Sequence, residues 1–139
     1  MAKTEIKLNW KKKMAFDAEV NGHIIPLDAE EHVGGENYGP RPKPLTLVSL
    51  GGCTGMDVVS ILGKMRVELD GFDVHVSGEL TDEHPKYFHK IHIVYTFKGK
   101  DLPMEKLKKA IDLSQDRYCG VTAMLNKVAE ITHEIVIEE

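Results

Sequence analysis

Three residues of this 139-residue chain have types and spacing suited to thiol chemistry, namely Cys53, Asp57 and Cys119. Cys53 stands in Gly51-Gly52-Cys53-Thr54-Gly55, where the side chains around the thiol are absent or small, so a substrate or a second chain can reach the sulfur. Asp57 follows one helical turn later and is the only charge between positions 45 and 63. A carboxylate there costs free energy unless it is paired, which calls for a buried partner or a polar cavity beside Cys53. Cys119 lies in Asp116-Arg117-Tyr118-Cys119-Gly120, at the break between two late helices, where a helix N-terminus directs its dipole at the sulfur. A cysteine attacks as thiolate, and thiolate needs a helix N-terminus or a cation beside it. With a helix starting at Pro44, Cys53 lies past the second turn, where the dipole has faded, so its activation calls for a cation. Of the three arginines, Arg41 just before that helix and Arg117 beside Cys119 are the candidates. The plainer alternatives stay open: Cys53 as an inert buried hydrophobe, Asp57 as a buried hydrogen-bonding group and the arginines as solvated surface charges.

Other chemistries find no anchor. There is no C-x-x-C, and the seven histidines show no ligand spacing, His89 and His92 facing opposite sides of one strand, so no metal site is expected. Neither a phosphate-binding glycine loop nor a nucleophile elbow is present. With 18 Lys+Arg against 22 Asp+Glu, the net charge of −4 gives no general attraction to nucleic acid. Two cysteines cannot form a disulfide scaffold, and the lysine-rich start lacks an apolar run of signal-peptide length, so a cytoplasmic protein is expected.

The elements that must position these residues follow from periodicity. Lys7 to Leu27 suggests short strands, with Met14, Phe16, Ala18 and Val20 alternating and Asn21-Gly22 as a hairpin turn. Asp28 to Pro44 collects glycines and three prolines and is expected to be a long loop. Residues 45–66 read as a helix apolar on all sides, with Pro44 at its first position. It is long enough to span a membrane, but its glycines and hydroxyls, and the absence of a second span, favour a core helix covered by a sheet and by another helix or subunit. Residues 69–139 then supply two strands joined as a hairpin, an amphipathic helix to about Ser114, a second helix carrying Val121, Leu125 and Val128, and a last strand through Ile131, Ile135 and Ile137. One α+β domain over 1–139 is expected, with strands and loop over 1–44.

Gly39-Pro40-Arg41-Pro42 followed by Leu45 to Leu50 and Gly51-Gly52-Cys53-Thr54-Gly55-Met56-Asp57-Val58-Val59-Ser60-Ile61-Leu62 resembles the central segment of the OsmC/Ohr family, the osmotically inducible and organic hydroperoxide resistance proteins. The stretch from Ala110 through Tyr118-Cys119-Gly120-Val121, with Ile131-Thr132-His133 after it, is similar to that family's second cysteine motif. The resemblance implies antiparallel sheets around a long buried central helix in an intertwined homodimer. It further implies a cysteine-based peroxidase acting on organic hydroperoxides, with Cys53 peroxidatic and Cys119 resolving, no cofactor, and an external dithiol as reductant. The chain departs from the family pattern where many members carry glutamate nine positions before the first cysteine: here Pro44 stands, and no arginine precedes Arg41. Lys11, Lys12, Lys13 or Arg41 of a partner subunit are then the candidate cations, and the resemblance is to an OsmC-like subgroup. Two other functions fit the same residues, a noncatalytic module for a hydrophobic ligand and a slow redox sensor. Neither a nucleic-acid nor a membrane partner is expected.

Overall fold

The computed structural model describes residues 2–139, which fall into two compact units, the first reaching Thr46 and the second spanning Leu47–Glu139. The first unit holds an antiparallel sheet of β1 (Lys7–Lys12), β2 (Ala15–Val20) and β3 (His23–Leu27) in sequence order. Asn21 and Gly22 turn the second hairpin with φ of 50° and 80°, two successive positive values that only a residue pair of this kind adopts cheaply. The register sets Trp10 opposite Phe16 and Phe16 opposite Leu27, so these aromatic and aliphatic side chains share a face. Leu8, Trp10 and Phe16 stay exposed on it.

The loop that follows is ordered by Asp28. Its buried carboxylate accepts the backbone N–H groups of Ala29, Glu36 and Tyr38 at 2.7, 2.9 and 3.1 Å. Gly39 lies so close to the end of β3 that a Cβ there would fall 2.4 Å from the Pro26 carbonyl oxygen. The three N–H groups, Glu36 first, hold the Asp28 carboxyl below the usual carboxylate range. Because the folded value is the lower one, the stabilisation is complete above the unfolded pKa of about 3.9 and is lost as pH falls through the folded value. Asp28→Ala is therefore expected to lower the urea midpoint at pH 7, with the gap from the parent protein closing below about pH 4. Paired urea titrations across that range check this, and a gap independent of pH contradicts it.

Helix α1 runs Pro42–Lys64, starting earlier than the expected residue 45. Pro42 takes its first position and Pro44 its third, since the first N–H groups of a helix have no acceptor within it and proline forgoes nothing there. It stops short of the expected residue 66 because Arg66 turns left-handed at φ 60°, with Arg66 N–H on Gly63 O and Val67 N–H on Leu62 O. This is the one helix among the described residues long and apolar enough, by length and composition, to cross a membrane, and one face of it is buried. Leu50, Thr54, Val58 and Leu62, four apart, are buried in the second unit. The sheet of this unit covers one face of the helix, and in the single chain Val48, Met56 and Val59 on the other are 64%, 75% and 53% exposed.

That sheet is β4 (Gly71–Leu80), β5 (Phe88–Lys98) and β6 (Glu130–Glu138), with β5 central. The β4–β5 hairpin is antiparallel as expected, whereas β6 pairs with β5 in parallel, Tyr95 opposite Ile135 and Phe97 opposite Ile137. Expected all-antiparallel sheets are thus corrected at this pair, because the helical crossover between the two strands returns the chain in the same direction. Ile91, Ile93, Tyr95 and Phe97 point to the core, where they meet Leu107, Ala110 and Ile111 of helix α2 (Met104–Leu113). Gly51 and Gly55 let α1 settle on β4: a Cβ at these positions would lie 3.1 Å from Val76 and 3.4 Å from Val74.

Candidate thiol site

The break after α2 is a wide turn. Residues Ser114–Tyr118 form one π-helical turn, closed by the Cys119 N–H on the Ser114 carbonyl at 2.7 Å, and helix α3 (Gly120–Leu125) starts immediately after it. Single π turns inserted between helices recur at functional sites. Here the turn leaves Cys119 as the N-cap residue of α3, buried, with its sulfur accepting the Thr122 N–H at 3.3 Å. The expected helix N-terminus at Cys119 is present. The Val121 amide in the same turn acts on Cys53 and favours its thiolate.

Cys53 is half-buried on α1, and its sulfur, the Cys119 sulfur and an Asp57 carboxylate oxygen all lie within 4.8 Å of one another. Burial is the main influence that pushes the Cys53 thiol up, and the neighbouring Cys119 sulfur and Asp57 carboxylate push it further, against the Val121 amide. Of the expected cations, Arg41 is held within the first unit by Glu30 at 3.1 Å and by Asn37 and the Gly39 carbonyl. Arg117 is exposed, over the Tyr118 ring. Lys11 pairs with Asp17, and Lys12 and Lys13 pair with Glu36.

The partner that Asp57 requires is Ser114, whose hydroxyl donates to Asp57 Oδ2 at 2.9 Å. Behind it lies a polar cluster that sequence reasoning missed. Thr54 Oγ1 stands 2.7 Å from both Ser114 Oγ and Tyr95 OH, and Gln115 Nε2 donates to Tyr95 OH at 2.8 Å and to Thr54 Oγ1 at 3.2 Å. The signal was faint: a threonine and a tyrosine at positions where helix and strand periodicity put core side chains. The cluster is satisfied, with no buried side-chain polar atom left unpaired among the described residues. It pins the middle of α1 to the π turn, and so fixes where the two sulfurs stand.

The family model described as OsmC-like protein matches residues 34–134, which include both cysteines and everything that joins them. The chain belongs to the OsmC-like family. This OsmC-like protein is 34% identical over 130 residues to the protein YhfA of Escherichia coli K12, covering 93% of this chain and 94% of that one. A hypothetical protein from Aquifex aeolicus has the same fold over 100% of both chains, with a TM-score of 0.85 and 32% identity. An organic hydroperoxide resistance protein OsmC from Legionella pneumophila shares the fold over 98% of each chain, with a TM-score of 0.72 at 12% identity, a likeness of fold alone. The OsmC/Ohr family is broadly associated with peroxidase activity, and an adjacent pair of thiols in an OsmC-like fold fits a redox role.

Proposed function

We propose that this protein is a thiol-dependent peroxidase for organic hydroperoxides, acting in oxidative-stress defence. The observation that carries this reading is the pair of sulfurs within 4.8 Å of each other, with Cys119 capping α3 and accepting the Thr122 N–H. The Cys53 thiolate attacks the terminal peroxide oxygen. An S–O bond forms as the O–O bond breaks, and the leaving alkoxide takes a proton to become an alcohol. The Cys119 sulfur then attacks the sulfenic acid, forming the disulfide and releasing water. An external dithiol restores both thiols by two exchanges and is itself oxidised, with no cofactor.

An almost wholly apolar groove of about 440 Å³ lies on the same helix, lined by Gly51, Gly52, Gly55, Met56, Val59 and Phe72 among others, and apolar surface of this kind favours an alkyl peroxide over hydrogen peroxide. The exposed apolar face of α1 supports a homodimer in which a second copy supplies the other wall of that groove. We place the protein in the cytoplasm, where the pair stays reduced between turnovers, with neither nucleic acid nor membrane as partner. Mass spectrometry of the protein after cumene hydroperoxide tests the reading: a Cys53–Cys119 disulfide within one chain is expected, and two free thiols contradict it.

The raised thiol favours a second use of the same pair, as a slow redox sensor. Only the thiolate reacts, so with the Cys53 pKa above the ordinary cysteine value of about 8.5 its reaction accelerates about tenfold per pH unit through the neutral range. Cys53 alkylation rates measured from pH 6 to 10 check this. An inflection at or below pH 7 would contradict the local environment described here and require a cation from another chain.

A further inference from the structure

Cys53, Asp57 and Cys119 have a second capacity that does not depend on peroxide chemistry. We propose that in the reduced protein the two sulfurs and the Asp57 carboxylate form a site for a thiophilic divalent cation of the zinc class. The donor set is two soft thiolates with one carboxylate, the ligands zinc takes readily. A tetrahedral zinc with bonds of about 2.3 Å to sulfur holds two sulfurs about 3.8 Å apart. The three ligand atoms here already lie within 4.8 Å of one another, so side-chain rotation of about an ångström closes the site.

Three further observations favour a cation. Two sulfurs and a carboxylate within 4.8 Å of one another gather negative charge when ligating, and a bound dication neutralises it. Two ligands are already oriented by partners outside the site, as metal ligands are: Ser114 Oγ donates to Asp57 Oδ2, and the Thr122 N–H to the Cys119 sulfur. Cys53 is half-buried and Asp57 is not fully buried, so water or an incoming thiol has access to the fourth position. Binding replaces the two S–H protons with two metal–sulfur bonds and releases the protons to solvent. A disulfide has no such sulfurs to offer, so oxidation of the pair expels the cation.

The test is anaerobic titration of the reduced protein with cobalt(II), followed by zinc(II), reading the sulfur-to-cobalt charge-transfer absorption. Expected are saturation at one cobalt per chain, release of about two protons, and loss of the band on adding zinc. Cys119→Ser is expected to lose the band, and Asp57→Asn to weaken cobalt binding at least about tenfold. Parent protein oxidised to the disulfide by diamide, its fold checked by circular dichroism, is expected to bind none, which separates loss of ligands from loss of structure. No band in the reduced protein, a band that persists after diamide, or Asp57→Asn binding unchanged would each overturn the site. Protein that forms the disulfide with cumene hydroperoxide but binds no cobalt would overturn this inference alone and leave the peroxidase reading standing.

Discussion

Cys53→Ser is expected to lower organic hydroperoxide consumption by at least about a thousandfold, while Cys119→Ser consumes about one equivalent per chain and then stalls. The two variants differ because the two sulfurs hold different positions. Cys53 is the half-buried one, and a serine hydroxyl there is far too weakly acidic and nucleophilic to attack a peroxide. Cys119 is buried, at 3% exposure, so it reacts with the sulfenic acid formed on Cys53 and not with the peroxide itself. Without it the sulfenic acid persists and further peroxide drives it to sulfinic acid. Loss of structure does not account for the second phenotype, since serine is among the best N-cap residues and can accept the Thr122 N–H that Cys119 now accepts. Steady-state consumption assays with intact-mass measurement check both. Equal activity of Cys53→Ser and parent protein would remove the thiol from the reaction.

Ser114→Ala is expected to destabilise the protein by about 1.5–3 kcal/mol, the range for a hydrogen bond to a charged group, with the loss of one buried hydroxyl partner included. Its hydroxyl joins Asp57 Oδ2 at 2.9 Å to Thr54 Oγ1 at 2.7 Å, so its removal strips the carboxylate of the donor that makes its place on an apolar helix tolerable. Thr54 retains Tyr95 and Gln115 and so serves as the comparison: the loss should fall mainly on Asp57. Urea unfolding of Ser114→Ala, Asp57→Asn and the double variant checks this. The double variant is expected to be clearly less destabilised than the sum of the two single changes, because they break one shared interaction. Strict additivity would show that Ser114 and Asp57 act separately.

Much of this was legible in the chain. Asp57 is the only charge over nineteen residues of an apolar helix, and that isolation demanded the polar partner that Ser114 turned out to be. The alternation of Ile91, Ile93, Tyr95 and Phe97 marked the core face of β5, and Asn21-Gly22 marked the turn between β2 and β3, because strand period and left-handed φ are local properties of residue type. What escaped depends on contacts remote in sequence. Nothing within Ser114–Tyr118 distinguishes a π turn from a helix end, and it is the Ser114 carbonyl's acceptance of the Cys119 N–H that sets the wider turn. The hydroxyls of Thr54, Tyr95 and Ser114 lie 41 and 60 positions apart along the chain and form a cluster only once β5 and α2 are packed on α1. The parallel pairing of β6 likewise needs the whole crossover, since its alternating isoleucines suit either strand direction.

The central claim is that Cys53 and Cys119 are one reactive pair acting on organic peroxides. Stopped-flow mixing of the reduced protein with cumene hydroperoxide and, separately, with hydrogen peroxide tests it most directly, with free thiols counted after each reaction. The expected result is loss of both thiols of each chain with the organic peroxide, faster than with hydrogen peroxide. Both thiols intact after minutes in excess cumene hydroperoxide would contradict the claim and turn attention to the apolar groove as a binding site without catalysis.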